Sequence, residues 1–256
     1  LSSSTTGTGN TAFGMQALVA NTTADNNTAV GRDAMVTNTT GTGTALGAFS
    51  LDANTTGTAN TAIGESALGA NTTAANNTAV GHAALTVNTT GTFNTAVGSA
   101  ALDANTTASN NNSFGYGSLT NSTTGGNNCA FGRDALNENQ TAGNNSAFGH
   151  NALKANTTGT QNTAVGAFAL DANTTANNNT AVGYLAGTAC TTGTANVFVG
   201  DLAGQTLTTA DRCVFIGNTS GSVGTVTGDK NTGVGDNSLR NVSSGTLNTA
   251  VGSESL

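Results

Sequence analysis

An apolar residue followed by glycine recurs about every 17 residues from one end of the chain to the other. Around each glycine the sequence reads Asn-Thr-Ala-Val-Gly-x-x-Ala-Leu-x-Ala-Asn-Thr-Thr-(Gly/Ala)-x-x. The step is 17 except for 16 from Gly31 to Gly47 and 18 from Gly217 to Gly235. These anchor glycines are Gly14, Gly31, Gly47, Gly64, Gly81, Gly98, Gly115, Gly132, Gly149, Gly166, Gly183, Gly200, Gly217, Gly235 and Gly252. A short fixed period predicts a solenoid of about 15 stacked coils, each resting on its neighbours.

The segment before each anchor glycine has the alternation of a β-strand. In Asn77 to Gly81, for example, Thr78 and Val80 are two residues apart and face the same way, whereas Ala79 faces the other way. The residue before the glycine is bulky and apolar in every coil, which is typical of an inward column in a parallel β-stack. Glycine then supplies the corner, where a positive φ is favourable.

Two further segments complete the predicted coil. The first is x-Ala-Leu-x, and the second is Asn-Thr-Thr-Gly, whose residues favour turns. An isolated Ala-Leu island between glycine and Asn-Thr-Thr is too short for a stable helix. The pattern therefore predicts an all-β parallel solenoid, a β-helix or β-roll, over residues 1–256.

If the residue before glycine points inward, the Ala before it and the Leu four after glycine point outward. In one region the Leu column contains glycine instead, at Gly187, Gly204 and Gly221, and the Ala column contains Phe198 and Phe215. Because bulk lost in one column appears in the other, the Leu and Ala columns are predicted to fill one space. An outward Leu row needs a cover, and we predict that the rows meet in a homotrimer or similar bundle. The predicted inter-chain contacts are Leu68, Leu85, Leu102, Leu119, Leu136, Phe198 and Phe215. The alternative is a monomer with both columns inside.

Asparagine recurs four residues before and seven residues after most anchor glycines. Identical amides stacked one coil apart can hydrogen-bond along the stack, which predicts a structural role. The second column also creates glycosylation sequons such as Asn21-Thr-Thr and Asn54-Thr-Thr, and their use requires that the asparagine face outward. Ten residues after glycine, Ala and Gly alternate from Ala74 to Ala210, which indicates a two-coil duplication unit of 34 residues.

Composition excludes several function classes. The net charge is −7 and charged residues form only 7% of the chain, so we expect no nucleic-acid partner and no anionic membrane surface. No apolar run has the length of about 20 residues that spans a bilayer. The first residue is not Met, and Leu1 and Leu256 occupy the same repeat position, so we expect a segment of a longer or processed protein.

No catalytic or metal-binding pattern stands out, and we expect neither an enzyme nor a cofactor. His82 and His150 share a column but lie four coils apart, too far to hold one metal ion. Asp52, Asp103 and Asp171 also share a column without adjacent members, which argues against paired-carboxylate catalysis. Cys129, Cys190 and Cys213 occupy different columns where Thr or Asn is usual, and we interpret them as small structural substitutions rather than a disulfide or metal site.

The motifs Asn-Thr-Ala-Val-Gly-x-x-Ala-Leu and Asn-Thr-Thr-Gly resemble the repeats of phage-type tail fibres that carry a C-terminal chaperone domain. They are similar, more loosely, to the head repeats of trimeric autotransporter adhesins, whose coil is shorter. The resemblance extends from Asn10 to Gly252. It implies a left-handed parallel β-roll or β-helix, three chains side by side, and a role in attachment at a virion or cell surface.

From the repeats and this resemblance we expect an extracellular, structural, fibre-forming protein without catalysis, comparable to a tail-fibre or adhesin shaft. Its expected partner is itself, as a homotrimer or an end-to-end filament, with a host-surface receptor or glycan as a further partner. The alternative function is an ice-binding β-solenoid that presents ladders of Thr, since Thr-Thr occurs in most coils.

Overall fold

A computed structural model describes residues 3–255 of the chain, and none of these residues lies in a helix. The chain divides into two compact units, Leu1–Asn127 and Asn128–Leu256. Each unit is a parallel β-solenoid with one short strand per coil, which confirms the all-β class and the 17-residue coil. The predicted equivalence of Leu1 and Leu256 lies outside the described residues.

The strands directly precede the anchor glycines, as the alternation predicts. In the first unit, β1 to β7 are Thr11–Phe13, Thr28–Val30, Gly43–Leu46, Asn60–Ile63, Thr78–Val80, Thr95–Val97 and Asn112–Phe114. In the second unit, β8 to β15 are Cys129–Phe131, Ser146–Phe148, Thr163–Val165, Thr180–Val182, Val197–Val199, Val214–Ile216, Thr232–Val234 and Thr249–Val251.

Within each unit, consecutive strands pair in parallel and in register with the repeat. Thr61 lies opposite Thr78, which lies opposite Thr95, and the following Ala and apolar residues pair in the same way. The second unit has the same register, for example Thr163 opposite Thr180. Every strand residue therefore stacks on its equivalent in the next coil, so that side-chain columns run along each unit.

The anchor glycine turns the chain at the end of each strand. All fifteen anchor glycines have φ between 121° and 142°, a range that residues with a side chain rarely adopt. A Cβ at Gly64 would also overlap the backbone of Gly81 in the next coil. Both the conformation and the close stacking of the coils require glycine here.

Three overlapping turns follow the glycine in place of a second strand. In the coil of Gly64, Ala67 donates to the Gly64 carbonyl, Gly69 to that of Ser66, and Asn71 to that of Leu68. The second and fourth residues after glycine have positive φ, so Leu68 has φ 52°. A left-handed conformation costs a leucine about 1–2 kcal/mol, whereas its full burial contributes about 1.5–3 kcal/mol. Burial therefore holds leucine at a backbone position that would otherwise favour glycine.

The core of each coil lies between the strand and these turns. The middle residue of the strand and the leucine four after glycine are both buried, as at Ala79 and Leu85, each 0% exposed. Where glycine replaces this leucine, phenylalanine fills the space. A Cβ at Gly187 would lie 2.5 Å from the Phe198 ring, and one at Gly221 would lie 2.7 Å from the Phe215 ring. The prediction that the two columns share one space is confirmed.

Asparagine side chains form a ladder inside the coils, as predicted. Asn71 Nδ2 donates to Asn54 Oδ1 at 2.9 Å and to the Ala74 carbonyl at 3.2 Å. Asn88 Nδ2 in turn donates to Asn71 Oδ1 at 3.2 Å. Each amide therefore links two coils and closes the turn of its own coil.

The second asparagine column, four residues before glycine, serves the same corner. Asn60 Nδ2 donates to the Ala74 carbonyl at 2.7 Å, so this buried carbonyl accepts from two amides. Asn60 Oδ1 accepts the backbone N–H of Asn77 at 3.0 Å, which connects successive coils. The two columns thus satisfy backbone groups that have no strand partner.

The first ladder is interrupted where the sequence departs from asparagine. Among the described residues, Asn105 Oδ1 and Asn173 Oδ1 are buried without a hydrogen-bond partner, and the next residues in their column are Ser122 and Cys190. Beyond Cys190 the column continues with Leu207, which is fully buried and bridges to Val226. The interior of the second unit thus changes from amide to apolar packing.

The ladder predicts a large effect of removing one amide. Asn71→Ala deprives the buried Asn54 Oδ1 of its donor and should lower the free energy of unfolding by about 2–4 kcal/mol, measured by urea denaturation. Thr73→Ala, at an exposed position of the same turn, should change it by less than about 0.5 kcal/mol. Equal effects of the two substitutions would contradict a structural role for the ladder.

The shared space predicts that two substitutions compensate each other. Phe198→Ala should lower the free energy of unfolding by about 3–5 kcal/mol because it leaves a cavity. Adding Gly187→Leu should recover part of this loss, because the backbone there (φ 61°) matches that of the leucines in the column. Gly187→Leu alone should destabilise by overlap with the ring. A double-mutant cycle in urea measures the coupling, and strictly additive effects would contradict the shared space.

Candidate functional site

The outward side of the strands is a surface that repeats from coil to coil among the described residues. We call it the strand face, and it consists of the first and third residues of the triplet before each anchor glycine. The first residues are Thr11, Thr28, Thr44, Thr61, Thr78, Thr95, Asn112, Cys129, Ser146, Thr163, Thr180, Val197, Val214, Thr232 and Thr249. The third residues are Phe13, Val30, Leu46, Ile63, Val80, Val97, Phe114, Phe131, Phe148, Val165, Val182, Val199, Ile216, Val234 and Val251.

The direction of the strand side chains is opposite to the predicted one. The bulky residue before glycine was expected inside, but Leu46 is 46% exposed and Val165 is 38% exposed, whereas the intervening Ala164 is 0% exposed. The physical reason is volume. The leucine of the turn segment fills the coil, so that only a small residue fits opposite it, and the larger strand residue takes the outer side.

The predicted inter-chain contacts are wrong for the same reason. Each of them is 0% exposed within the single chain: Leu68, Leu85, Leu102, Leu119, Leu136, Phe198 and Phe215. These side chains form the interior of their own coils and have no surface to offer to another chain. The expectation of an outward leucine row fails, and the strand face takes its place as the exposed apolar surface.

The strand face carries no charge. None of the six basic and thirteen acidic residues of the chain occupies it. The charged residues lie in the turns, for example in the exposed pair Arg133 and Asp134, whose Nε and Oδ2 are 3.1 Å apart. Two phenylalanines of the face, Phe131 and Phe148, stack with ring centroids 5.1 Å apart.

The acidic and histidine candidates do not converge. Among residues 3–255, no three His, Cys, Asp or Glu side chains are grouped so that they could hold a metal ion. His82 and His150 are both exposed on the turn side of their coils. Burial raises the pKa of Asp52 and of Asp103, and nearby Asp33 adds to the shift at Asp52. Thr188 Oγ1 donates to Asp171 Oδ1 at 2.6 Å, so Asp171 serves as a link between coils.

The three cysteines are free thiols in the part of the chain described. Cys190 Sγ lies 3.3 Å from the Gly193 carbonyl and Cys213 Sγ lies 3.4 Å from that of Gly228, where asparagine amides donate in other coils. Burial raises the pKa of Cys190 to about 12. Both thiols therefore occupy the place of structural amides. This agrees with their interpretation from the sequence as small structural substitutions.

The short coil between Gly31 and Gly47 opens a shallow cleft of about 460 Å³ beside the strand face. It is lined by Asp25, Asn26, Thr42, Thr44 and Asn60 among others. Asp25 already accepts hydrogen bonds from the backbone and hydroxyl of Thr8, and these lower the pKa of its carboxyl group. The cleft has no second ionisable group aligned with Asp25 for acid–base chemistry.

The Asn-Thr-Thr sequons lie in the interior. Their asparagines are all 0% exposed: Asn21, Asn38, Asn54, Asn71, Asn88, Asn105, Asn156 and Asn173. The outward orientation that glycosylation requires is therefore not met at these asparagines in the folded chain.

One set of contacts was missed from the sequence. In some coils, the threonine six residues before glycine is held by a polar side chain in the next coil, as Thr160 is by Asn177 Oδ1 and Thr194 by Asp211 Oδ1. The alternation of Ala and Gly at another column indicated two-coil units, but it did not point to these residues.

No helix among residues 3–255 is both long enough and apolar enough to cross a membrane. Comparison of the chain with protein-family models, with curated protein sequences and with solved structures found no match.

Proposed function

We propose that the chain is a non-catalytic structural protein, a shaft segment of an extracellular fibre on a virion or cell surface. The observation that carries this proposal is the self-contained coil. Strand pairing, turn hydrogen bonds and asparagine columns connect each coil to the next through the same groups. Coils of this kind can be added without changing the cross-section, which suits a protein whose task is to span distance.

The composition of the interior supports the same role. Most coils bury polar amides that are hydrogen-bonded to neighbouring coils, as Asn71 is to Asn54 and Asn88. Such contacts recur along the coils and do not converge on one pocket. This is the arrangement expected of a mechanical element rather than of an enzyme.

The resemblance to tail-fibre and adhesin repeats favours self-association of like chains and attachment to a host-surface receptor or glycan. The resemblance also implies three chains, but the argument for them from the residues depended on an outward leucine row, and those leucines lie inside the coils. We propose that lateral association of like chains uses the strand face, an exposed apolar surface that recurs along the coils.

Lengthening the array tests the structural role. Four tandem copies of residues 65–98 inserted after Gly98 add eight coils and should lengthen the particle by roughly 38 Å at constant width, measured by electron microscopy. An inserted Gly-Ser segment of equal length should leave the rod length unchanged, because it cannot form coils. A particle that grows in width rather than in length would contradict the shaft proposal.

Ice binding is the second candidate, and the threonine column of the strand face favours it. Thr61, Thr78 and Thr95 stand in register on successive strands with their side chains outward. This gives an uncharged and regularly spaced column of hydroxyl and methyl groups, which a crystalline ligand can match over many repeats.

An ice-recrystallisation assay separates the two functions. If the chain binds ice, it should inhibit recrystallisation, and Thr78→Tyr with Thr95→Tyr should abolish the effect because the bulky rings interrupt the threonine column. Thr73→Tyr with Thr90→Tyr, on the exposed turn, is the matched control and should retain activity. Absence of inhibition by the unmodified chain at every soluble concentration would exclude ice binding.

A further inference from the structure

The two columns of the strand face differ in chemistry. The first column accepts Thr, Ser, Asn, Cys and Val, whereas the third column is Val, Ile, Leu or Phe in all fifteen strands. Eight of the fifteen third-column residues are exposed, for example Ile63 at 36% and Val182 at 38%, and the other seven are half-buried. A strictly apolar column therefore lies on the surface beside a mixed column on the same strands.

The fold itself does not require this restriction. The interior is filled by the middle strand residue and the turn leucine, and the third-column side chains point away from it. Threonine has a high strand propensity and occupies the first column, so it would serve equally well in the third column of an isolated chain. The restriction is explained if another surface covers the third column and excludes water.

We propose that a second copy of this chain covers it, with strand face against strand face. The inference rests on the proposed structural role, in which like chains lie side by side. Two sheets packed in this way lie about 10 Å apart with their side chains interdigitated. The pairing is isologous, because the same surface is used on both chains.

The strand face is uncharged, which is compatible with a copy of this chain as the partner, although the net charge of −7 makes two copies repel each other at long range. The chain carries a net charge of −7, yet all of its charged residues lie outside the strand face. Face-to-face pairing buries no charge and leaves every ionic group in water, so that no desolvation penalty of a buried ion opposes it. The second copy also has the same coil spacing, so that contacts made in one coil recur in the next.

The area indicates how strong the pairing is. Eight strands at 4.8 Å spacing and about 10 Å width give the second unit a face of roughly 400 Å², and the seven strands of the first unit give slightly less. A stable interface buries about 800 Å² per partner. An interface on one unit alone would therefore be weak, and the strand face of each unit is tested both separately and together.

Sedimentation of the full chain tests the pairing. The unmodified chain should sediment as a dimer in the micromolar range. Val80→Lys and Val97→Lys together, or Val165→Lys and Val182→Lys together, should each raise the dimer dissociation constant. All four substitutions should raise it at least about 100-fold. Circular dichroism checks that the variants keep the strand signal of the unmodified chain.

Two further variants guard against a general effect of charge or of misfolding. Thr73→Lys, Thr90→Lys, Thr158→Lys and Thr175→Lys add the same charge at exposed turn positions and should leave the dimer intact. Replacing Val80, Val97, Val165 and Val182 by Thr keeps charge and strand propensity, and should weaken the dimer about 10-fold by removing apolar contact.

A monomer at all concentrations, a trimer, or a dimer that the strand-face variants leave unchanged would overturn the pairing. These outcomes are separate from the fate of the structural role. A monomer that still lengthens at constant width when coils are inserted would retain the shaft function and lose only the proposed interface.

Discussion

The structure depends on the hydrogen bonding of backbone groups inside a coil that is too small to contain a thick apolar core. A coil of 17 residues has a single three- or four-residue strand, and the carbonyl groups at its far corner have no strand partner. Buried polar groups without partners are costly. Asparagine solves this at both columns, since Asn60 and Asn71 together satisfy the Ala74 carbonyl. In most coils these amides, or thiols and hydroxyls in their place, keep the stacked coils in register, and at Leu207 apolar packing replaces them.

The same constraint determines which side chains face outward. Amides and leucine fill the interior, so the middle strand residue must be small, and alanine holds this place in most coils. The bulky strand residue is then left on the surface. The filling of the interior therefore explains why a large strand residue lies on the surface. It does not explain why this residue is apolar in every strand.

Much of the fold could be predicted from the sequence, but not which strand side chains are buried and which are exposed. The period located the strands and the corners, and the recurrence of asparagine predicted the ladders. Alternation in Thr-Ala-Val defines two sides of a strand and does not say which is buried. Hydrophobicity favoured Val80, and the structure buries Ala79 instead, because Leu85 already occupies the coil. One sequence feature did indicate the buried side. Glycine replaces the turn leucine in the same region where phenylalanine replaces the middle strand alanine, so these two columns share one space inside the coil.

The buried Asn-Thr-Thr motif has a consequence for the biosynthesis of the chain. Oligosaccharide transfer to asparagine acts on accessible chain segments, and in a secretory pathway these sequons would be accessible before the coils close. A glycan on Asn71 could not enter the interior that this amide occupies at 0% exposure, and the coils on either side would be unable to stack. The repeat is thus compatible with synthesis in a compartment that lacks this modification.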